Sequence, residues 1–329
     1  PSLLFYFFSF SLLVFSCFIM SVGAPLGSGG RSSFSGIVAT IFGGTGHLGR
    51  YVTNALGRRG SGIALPYRGS EMDIAHLKVM GDVGQIAPIR FHPKYAPSVA
   101  DAIRPANVIV NLMGKHHHTR NFSLIDGNVG TAKAVASAFA GEQGRLPVET
   151  RPLFIHISHV SASASSPSPF LRAKAASEQI VRDLVPDAAI VRLSTLFSDE
   201  DRFLNTWGYL ASRYPIFPSI NGDRRISPLS SFAAAEAIVK VALLGDRARG
   251  QTFDIAGPEE LSMTEVEDMV RDLVKIHHLR IPVPQRAAAL LGAGFGTTRR
   301  PIITRDEAEH QFWQDEVVRP DALNTADTL

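Results

Sequence analysis

The sequence predicts a doubly wound α/β fold, a parallel sheet with helices on both faces, followed by a smaller C-terminal α/β region. Three observations predict it. Short apolar runs alternate with amphipathic segments from Ile37 to Leu193. A glycine-rich turn separates the first apolar run from the first amphipathic segment. Beyond Ser194 the alternation loosens, which marks a second region of different construction.

Taken in order, Ile37–Phe42 reads as a buried strand and His47–Arg59 as a helix with Leu48, Val52 and Leu56 on its apolar face. Gly60 closes that helix and Ile63–Tyr67 forms the second strand. A third lies near Ile86–Phe91 and a fourth at Asn107–Met113, followed by a helix over Thr131–Ala140. Pro152–Ser158 is the fifth strand, Lys174–Leu184 a helix and Ala188–Leu193 the sixth strand. Between them Ser161–Pro169 reads as a surface loop. In the second region Asp201–Tyr214, Phe232–Leu244 and Thr264–His277 read as helices and Gln251–Ile255 as a short strand. The predicted division is 1–36 as an apolar segment and Gly/Ser linker, 37–198 as the nucleotide-binding domain, and 199–329 as the C-terminal region and tail.

Composition narrows the chemistry. The formal net charge of +3 is mild and spread along the chain, so no nucleic-acid footprint follows. Cys17 is the only cysteine, which excludes an internal disulfide and any all-cysteine zinc site or iron–sulfur cluster within the chain. His116-His117-His118 reads as a polar loop. His156 and His159 point to opposite faces of an extended strand, so no metal site is expected. The run Leu3–Val22 is apolar enough to cross a bilayer and lacks the arginines of a mitochondrial presequence. A membrane helix, a signal-like segment and an extension ahead of Met20 all stay open for it.

The turn in ATIFGGTGHLGR places Gly43, Gly46 and Gly49 at G-x-x-G-x-x-G spacing between a strand and a helix. The first glycine permits a tight turn, the second lets backbone approach a pyrophosphate, and the third allows helix and strand to pack closely. The expected cofactor contacts are therefore Gly43, Thr45, Gly46, His47, Leu48 and Gly49, with the phosphates on exposed N–H groups at the helix start. At the end of the second strand an acid would bind the 2′-hydroxyl of NAD. Arg68 stands there instead, within Pro66-Tyr67-Arg68, and suits a 2′-phosphate, so NADPH is the expected nucleotide.

The glycine turn, Asn111-Leu112-Met113-Gly114 after the fourth strand, and a serine followed by an aromatic-x-x-x-Lys pattern resemble the short-chain dehydrogenase/reductase superfamily, a Rossmann fold. The resemblance implies that Lys174 and Asn111 serve the nucleotide, and that Ser158 and Lys174 occupy the serine and lysine positions of the family's catalytic set. The tyrosine position is Phe170, which has no ionisable hydroxyl. Ser158, Phe170 and Lys174 are then vestigial, with no catalytic residue expected.

Eight further stretches resemble one branch of that superfamily, the NADPH-binding accessory subunit of mitochondrial respiratory complex I. They are Gly30–Val52, Pro66–Arg68, MGDVGQ (Met80–Gln85), NLMGK (Asn111–Lys115), FIHISH (Phe154–His159), FLRAKAASEQIVRD (Phe170–Asp183), EDRFLN (Glu200–Asn205) and ITRDEAE (Ile303–Glu309). MGDVGQ and EDRFLN are the more specific, since dinucleotide binding alone does not demand them. The resemblance implies a pseudo-enzyme on the matrix side of the mitochondrial inner membrane. It would be membrane-associated through other complex I subunits and hold NADPH near where quinone enters. An atypical NADP-dependent reductase or epimerase is the alternative.

Overall fold

The computed structural model describes residues 35–118, 122–144, 146–214, 216–219, 221–275, 279–284, 287 and 316–317. The apolar run Leu3–Val22 and the ITRDEAE segment lie outside the described residues. The first half runs β1 (Val38–Phe42), α1 (His47–Arg58), β2 (Gly62–Tyr67), α2 (Ala75–Lys78), β3 (Ile86–Arg90), α3 (Ala96–Ile103), β4 (Val108–Asn111), α4 (Thr131–Gln143), β5 (Leu153–His159), α5 (Pro169–Leu184) and β6 (Ala189–Leu193). There follow β7 (Leu196–Phe197), α6 (Phe203–Arg213), β8 (Ile216–Ser219), β9 (Arg225–Ile226), β10 (Leu229–Ser230), α7 (Ser231–Leu244), β11 (Thr252–Ile255), β12 (Leu261–Ser262), α8 (Met263–Val274) and β13 (Leu279–Pro282).

Seven strands form one parallel sheet in the order β11-β6-β5-β4-β1-β2-β3. Successive side chains on each strand supply opposite faces. Ala39, Ile41, Val108, Val110, Ile155 and Val191 join one core with α1 and α7, while Phe42, Ile109, Phe154 and Ile190 join another with α3, α4 and α5. Every residue of β2, β4 and β5 is buried as a result. The chain reverses its direction of strand addition between β1 and β4, and a crevice opens there at the carboxyl ends of the strands.

A third core, built by Trp207, Leu210, Ile226, Met263, Val266 and Val270, joins α6, β9 and α8 into the smaller region. One part of the region beyond residue 198 returns to the large sheet. α7 packs on α1, and β11 pairs with β6 as the seventh strand. Phe253 and Ile255 make this placement favourable, since both bury their side chains in the core that α7 covers. Among the described residues no helix is long and apolar enough to cross a membrane.

Candidate dinucleotide-binding site

The crevice is walled by the glycine turn. Gly43 adopts φ +85°, a conformation that favours glycine, and a Cβ there would sit 3.1 Å from the Leu112 carbonyl carbon. Gly46 caps α1 with no side-chain hydrogen bond, so the first-turn N–H groups of His47, Leu48 and Gly49 have no side-chain cap. A Cβ on Gly46 would meet only the Gly43 carbonyl, at 3.1 Å, and otherwise open space. At Gly49 a Cβ would lie 2.6 Å from Gly44 Cα, so a glycine is required for α1 to pack this closely. A cradle of this kind suits an anion carried against the backbone. His47 stands beside it, its Nε2 2.6 Å from the Ser198 hydroxyl, and its pKa is lowered first by burial, with Asp201 pulling the other way.

Two cavities border the turn. One cleft, of about 460 Å³, is lined by Gly43, Gly46, His47, Leu48 and Gly49 on one side and by Lys115, Ser158, Phe170 and Lys174 on the other. A second cavity, of about 540 Å³, is lined by Thr45, Arg68, Gly69, His92, Lys94 and Phe122. Within it the Arg68 guanidinium lies 5.4 Å and the Lys94 ammonium 4.9 Å from the centroid of the Phe122 ring. Sequence reasoning missed Lys94 and Phe122. The available signal for Lys94 was its position just past β3, the strand that pairs with the strand ending before Arg68.

Lys115 adds a third cation at the crevice. Asn128, buried at the foot of α4, holds its backbone from both sides: Lys115 N–H donates to Oδ1 at 3.3 Å and the Asn128 amide donates to the Lys115 carbonyl at 2.8 Å. Desolvation lowers the Lys115 pKa, and repulsion from Arg68 and Arg202 lowers it further. Arg202, from the EDRFLN stretch, lines the same cleft. Four cations around the turn, Arg68, Lys94, Lys115 and Arg202, suit a ligand with several negative charges.

The helix carrying Phe170 and Lys174 begins earlier than the sequence pattern suggested, at Pro169 rather than Lys174. Proline stands at its first positions, where its fixed φ suits a helix and its missing N–H costs nothing. Phe170 and Lys174 thereby fall one turn apart on the same face. The Lys174 ammonium is 3.3 Å from the Ile157 carbonyl, to which it donates, and 5.9 Å from the Phe170 ring centroid. Burial pushes its pKa down to about 8, against the pull of Glu178. Phe170 packs against His116 and His159, with ring centroids 4.7 and 5.9 Å away. The Ser158 hydroxyl is buried in the cleft wall and makes no hydrogen bond to the described residues.

Asn111, expected among the cofactor residues, stands at the end of β4. Its side chain is fully buried, accepts from Met113 N–H at 3.2 Å and lies 3.3 Å from His156 Nδ1, so it shapes the loop rather than lining either cavity. By the period of the strand it shares the face of Ile109, and the next residue, Leu112, lines the cleft. His156 is likewise internal, with Nε2 3.1 Å from Ser177, whereas His159 reaches the cleft wall. There it lies 3.6 Å from Glu316, which also pairs with Arg224 and Thr195, a group with no counterpart in the sequence reading.

No protein-family model matches the chain. It is 38% identical over 282 residues to NADH dehydrogenase (ubiquinone) 1 alpha subcomplex subunit 9, mitochondrial, of Arabidopsis thaliana, covering 85% of this chain and 69% of the relative. It is 34% identical over 315 residues to the mitochondrial NADH-ubiquinone oxidoreductase 40 kDa subunit of Neurospora crassa, covering 94% of this chain and 80% of that one. Among solved structures, the NADPH-dependent quinone oxidoreductase QOR2 of Escherichia coli, complexed with NADPH, superimposes with a TM-score of 0.65 at 15% identity, over 83% of this chain and 89% of that one. That likeness establishes the Rossmann-like fold. The extent and level of identity to the two mitochondrial proteins establish more: the chain belongs to the family of the mitochondrial NADH dehydrogenase (ubiquinone) 1 alpha subcomplex subunit 9.

Proposed function

We propose that the chain is a non-catalytic accessory subunit of mitochondrial NADH:ubiquinone oxidoreductase, complex I, and holds NADPH as a structural group. The observation that carries the reading is identity of 38% and 34%, over most of the chain, to proteins named as subunits of that enzyme. Its partners are the other complex I subunits, and its place is the matrix side of the inner membrane, near where quinone enters.

The residues present suit the nucleotide. The N–H groups of His47, Leu48 and Gly49 would take the pyrophosphate, with Thr45 beside it, and Arg68 with Lys94 would take the 2′-phosphate. Lys174 would hold the nicotinamide ribose, and the partnerless Ser158 hydroxyl faces the same cleft. A bound nicotinamide dinucleotide supplies hydride transfer when it reacts. In this chain the position that would move the accompanying proton holds the phenyl ring of Phe170, and loss of such a group is typically worth about 10²–10⁴ in rate. A ligand at a thousand times its Kd still adds roughly 4 kcal/mol to stability, a sufficient physical reason to keep a cofactor that does not react.

Ser158 and Lys174 in the cleft favour one second reading, an NADP-dependent reductase or epimerase, and Phe170 argues against it. Native gels of mitochondria depleted of this chain test the main reading. The expected result is loss of assembled complex I and of NADH:quinone activity. Normal amounts and activity, or migration of the chain only as a free monomer or homodimer, would overturn it.

A further inference from the structure

The cleft wall around His159 holds a buried carboxylate apart from the residues assigned to the nucleotide. Glu316 has a fully buried side chain (0% exposed) and Arg224 is nearly so (3%), and the Arg224 guanidinium pairs with Glu316 Oε1. The other oxygen, Oε2, accepts from the Thr195 backbone N–H at 3.2 Å and from the Thr195 hydroxyl, while His159 Nε2 lies 3.6 Å away. Main-chain bonds hold the residue in register: Glu316 N–H donates to the Arg225 carbonyl at 2.8 Å, and Ser227 N–H donates to the Glu316 carbonyl at 3.0 Å.

The donors around this carboxylate are held by the fold independently of Glu316. Arg224 N–H donates to the Asn221 carbonyl at 3.1 Å, and its own carbonyl accepts from Met263 N–H at 2.9 Å. The Thr195 carbonyl accepts from Leu229 N–H at 2.9 Å, and His159 Nδ1 accepts from Ser161 N–H at 3.2 Å. The three donors thus come from the end of β5, the turn after β6 and the start of β9, and they converge on one point. A guanidinium buried so deeply is tolerated only with an anion against it. That point lies in the same cleft wall as Ser158 and Phe170.

We propose that Arg224, Thr195 and His159 form a carboxylate-binding site in the cleft wall, which the chain fills with its own Glu316. A small monocarboxylate takes the same place when the Glu316 side chain is removed. With Glu316 seated, an acidic molecule entering the cleft must compete with a carboxylate tethered to the same chain, at high effective concentration. This point of the cleft wall is therefore closed to small acids from within.

The test is thermal melting of the full chain with acetate as the probe. Glu316→Ala should melt several degrees below the unmodified protein. Acetate should raise the midpoint of that variant in a saturable way, and should leave the unmodified protein and an Arg224→Met/Glu316→Ala double variant unmoved. An equal response of the unmodified protein and Glu316→Ala, or a Glu316→Ala midpoint within a degree of the original, overturns the proposal. Glu316→Gln, which keeps the shape and the Thr195 contacts, provides a second reading if the alanine variant does not fold. Arg224→Met combined with Glu316→Gln should lower the midpoint by less than the sum of the two single changes, because the two side chains share one charge-paired contact that either change alone already removes. Additive losses overturn the pairing.

Discussion

Arg68 and Lys94 converge on one aromatic plate, with their charged groups 5.4 and 4.9 Å from the Phe122 ring centroid. They come from the ends of neighbouring parallel strands, β2 and β3, and share a cavity with Thr45 of the glycine turn. Two exposed cations beside one ring suit an anion, and the 2′-phosphate of NADPH is the one proposed for this cavity.

The first prediction follows from that pair. Arg68→Ala should weaken NADPH binding about 10- to 100-fold, the loss of charge-assisted hydrogen bonds worth roughly 1.5–3 kcal/mol, and leave NADH affinity nearly unchanged. Lys94→Gln should act in the same direction and less strongly. Calorimetry with both nucleotides is the measurement. Equal binding of NADPH and NADH by the unmodified protein would refute the 2′-phosphate assignment.

A second prediction concerns chemistry at Phe170. The purified chain should not oxidise NADPH with carbonyl or sugar-nucleotide substrates, because the ring has no proton to move. Steady-state absorbance of NADPH checks this. Sustained turnover that disappears in Lys174→Ala would show a working catalytic site.

The acid limb of stability should depend on His156. Burial, and then the charge of Lys174, hold its pKa down at about 3 in the folded chain, against an ordinary value of 6.5. Between those values the unfolded chain binds a proton that the folded chain refuses, so stability falls as pH drops from 6.5 toward 3. Its contribution is fully present above pH 6.5. Denaturant melts of the unmodified protein and His156→Gln should therefore differ by an amount that shrinks on acidification. A difference independent of pH would mean that His156 is not the titrating group.

Gly46→Glu tests the structural role of the nucleotide. It puts a carboxylate at the first turn of α1, where the proposed pyrophosphate would lie, so the two negative charges would oppose each other. Nucleotide occupancy, subunit stability and the amount of assembled complex I should all fall. Electron transfer per assembled complex should change much less, since the chain has a single cysteine and so cannot ligate an all-cysteine cluster by itself. A large drop in turnover per complex at normal abundance would point to a catalytic role instead.

Local patterns determined much of this protein from the sequence alone. Apolar runs marked the six strands from Ile37 to Leu193, because a strand buried on both faces is apolar throughout and the edge strand β3 still buries Ile86, and all six pair in parallel. Gly43, Gly46 and Gly49 were legible because positive φ and close backbone approach exclude side chains, a constraint that acts within a few residues. The place of Arg68 directly after β2 was legible because a strand end lies at a fixed distance along the chain from the turn. Tertiary structure decided what depends on distant elements meeting. It turned Asn111 inward, brought Lys94 and Phe122 beside Arg68, returned Thr252–Ile255 to the sheet, and set Glu316 against Arg224, Thr195 and His159. No periodicity carries such information, because strand order and helix crossings, not spacing along the chain, determine which side chains from remote segments share a cavity.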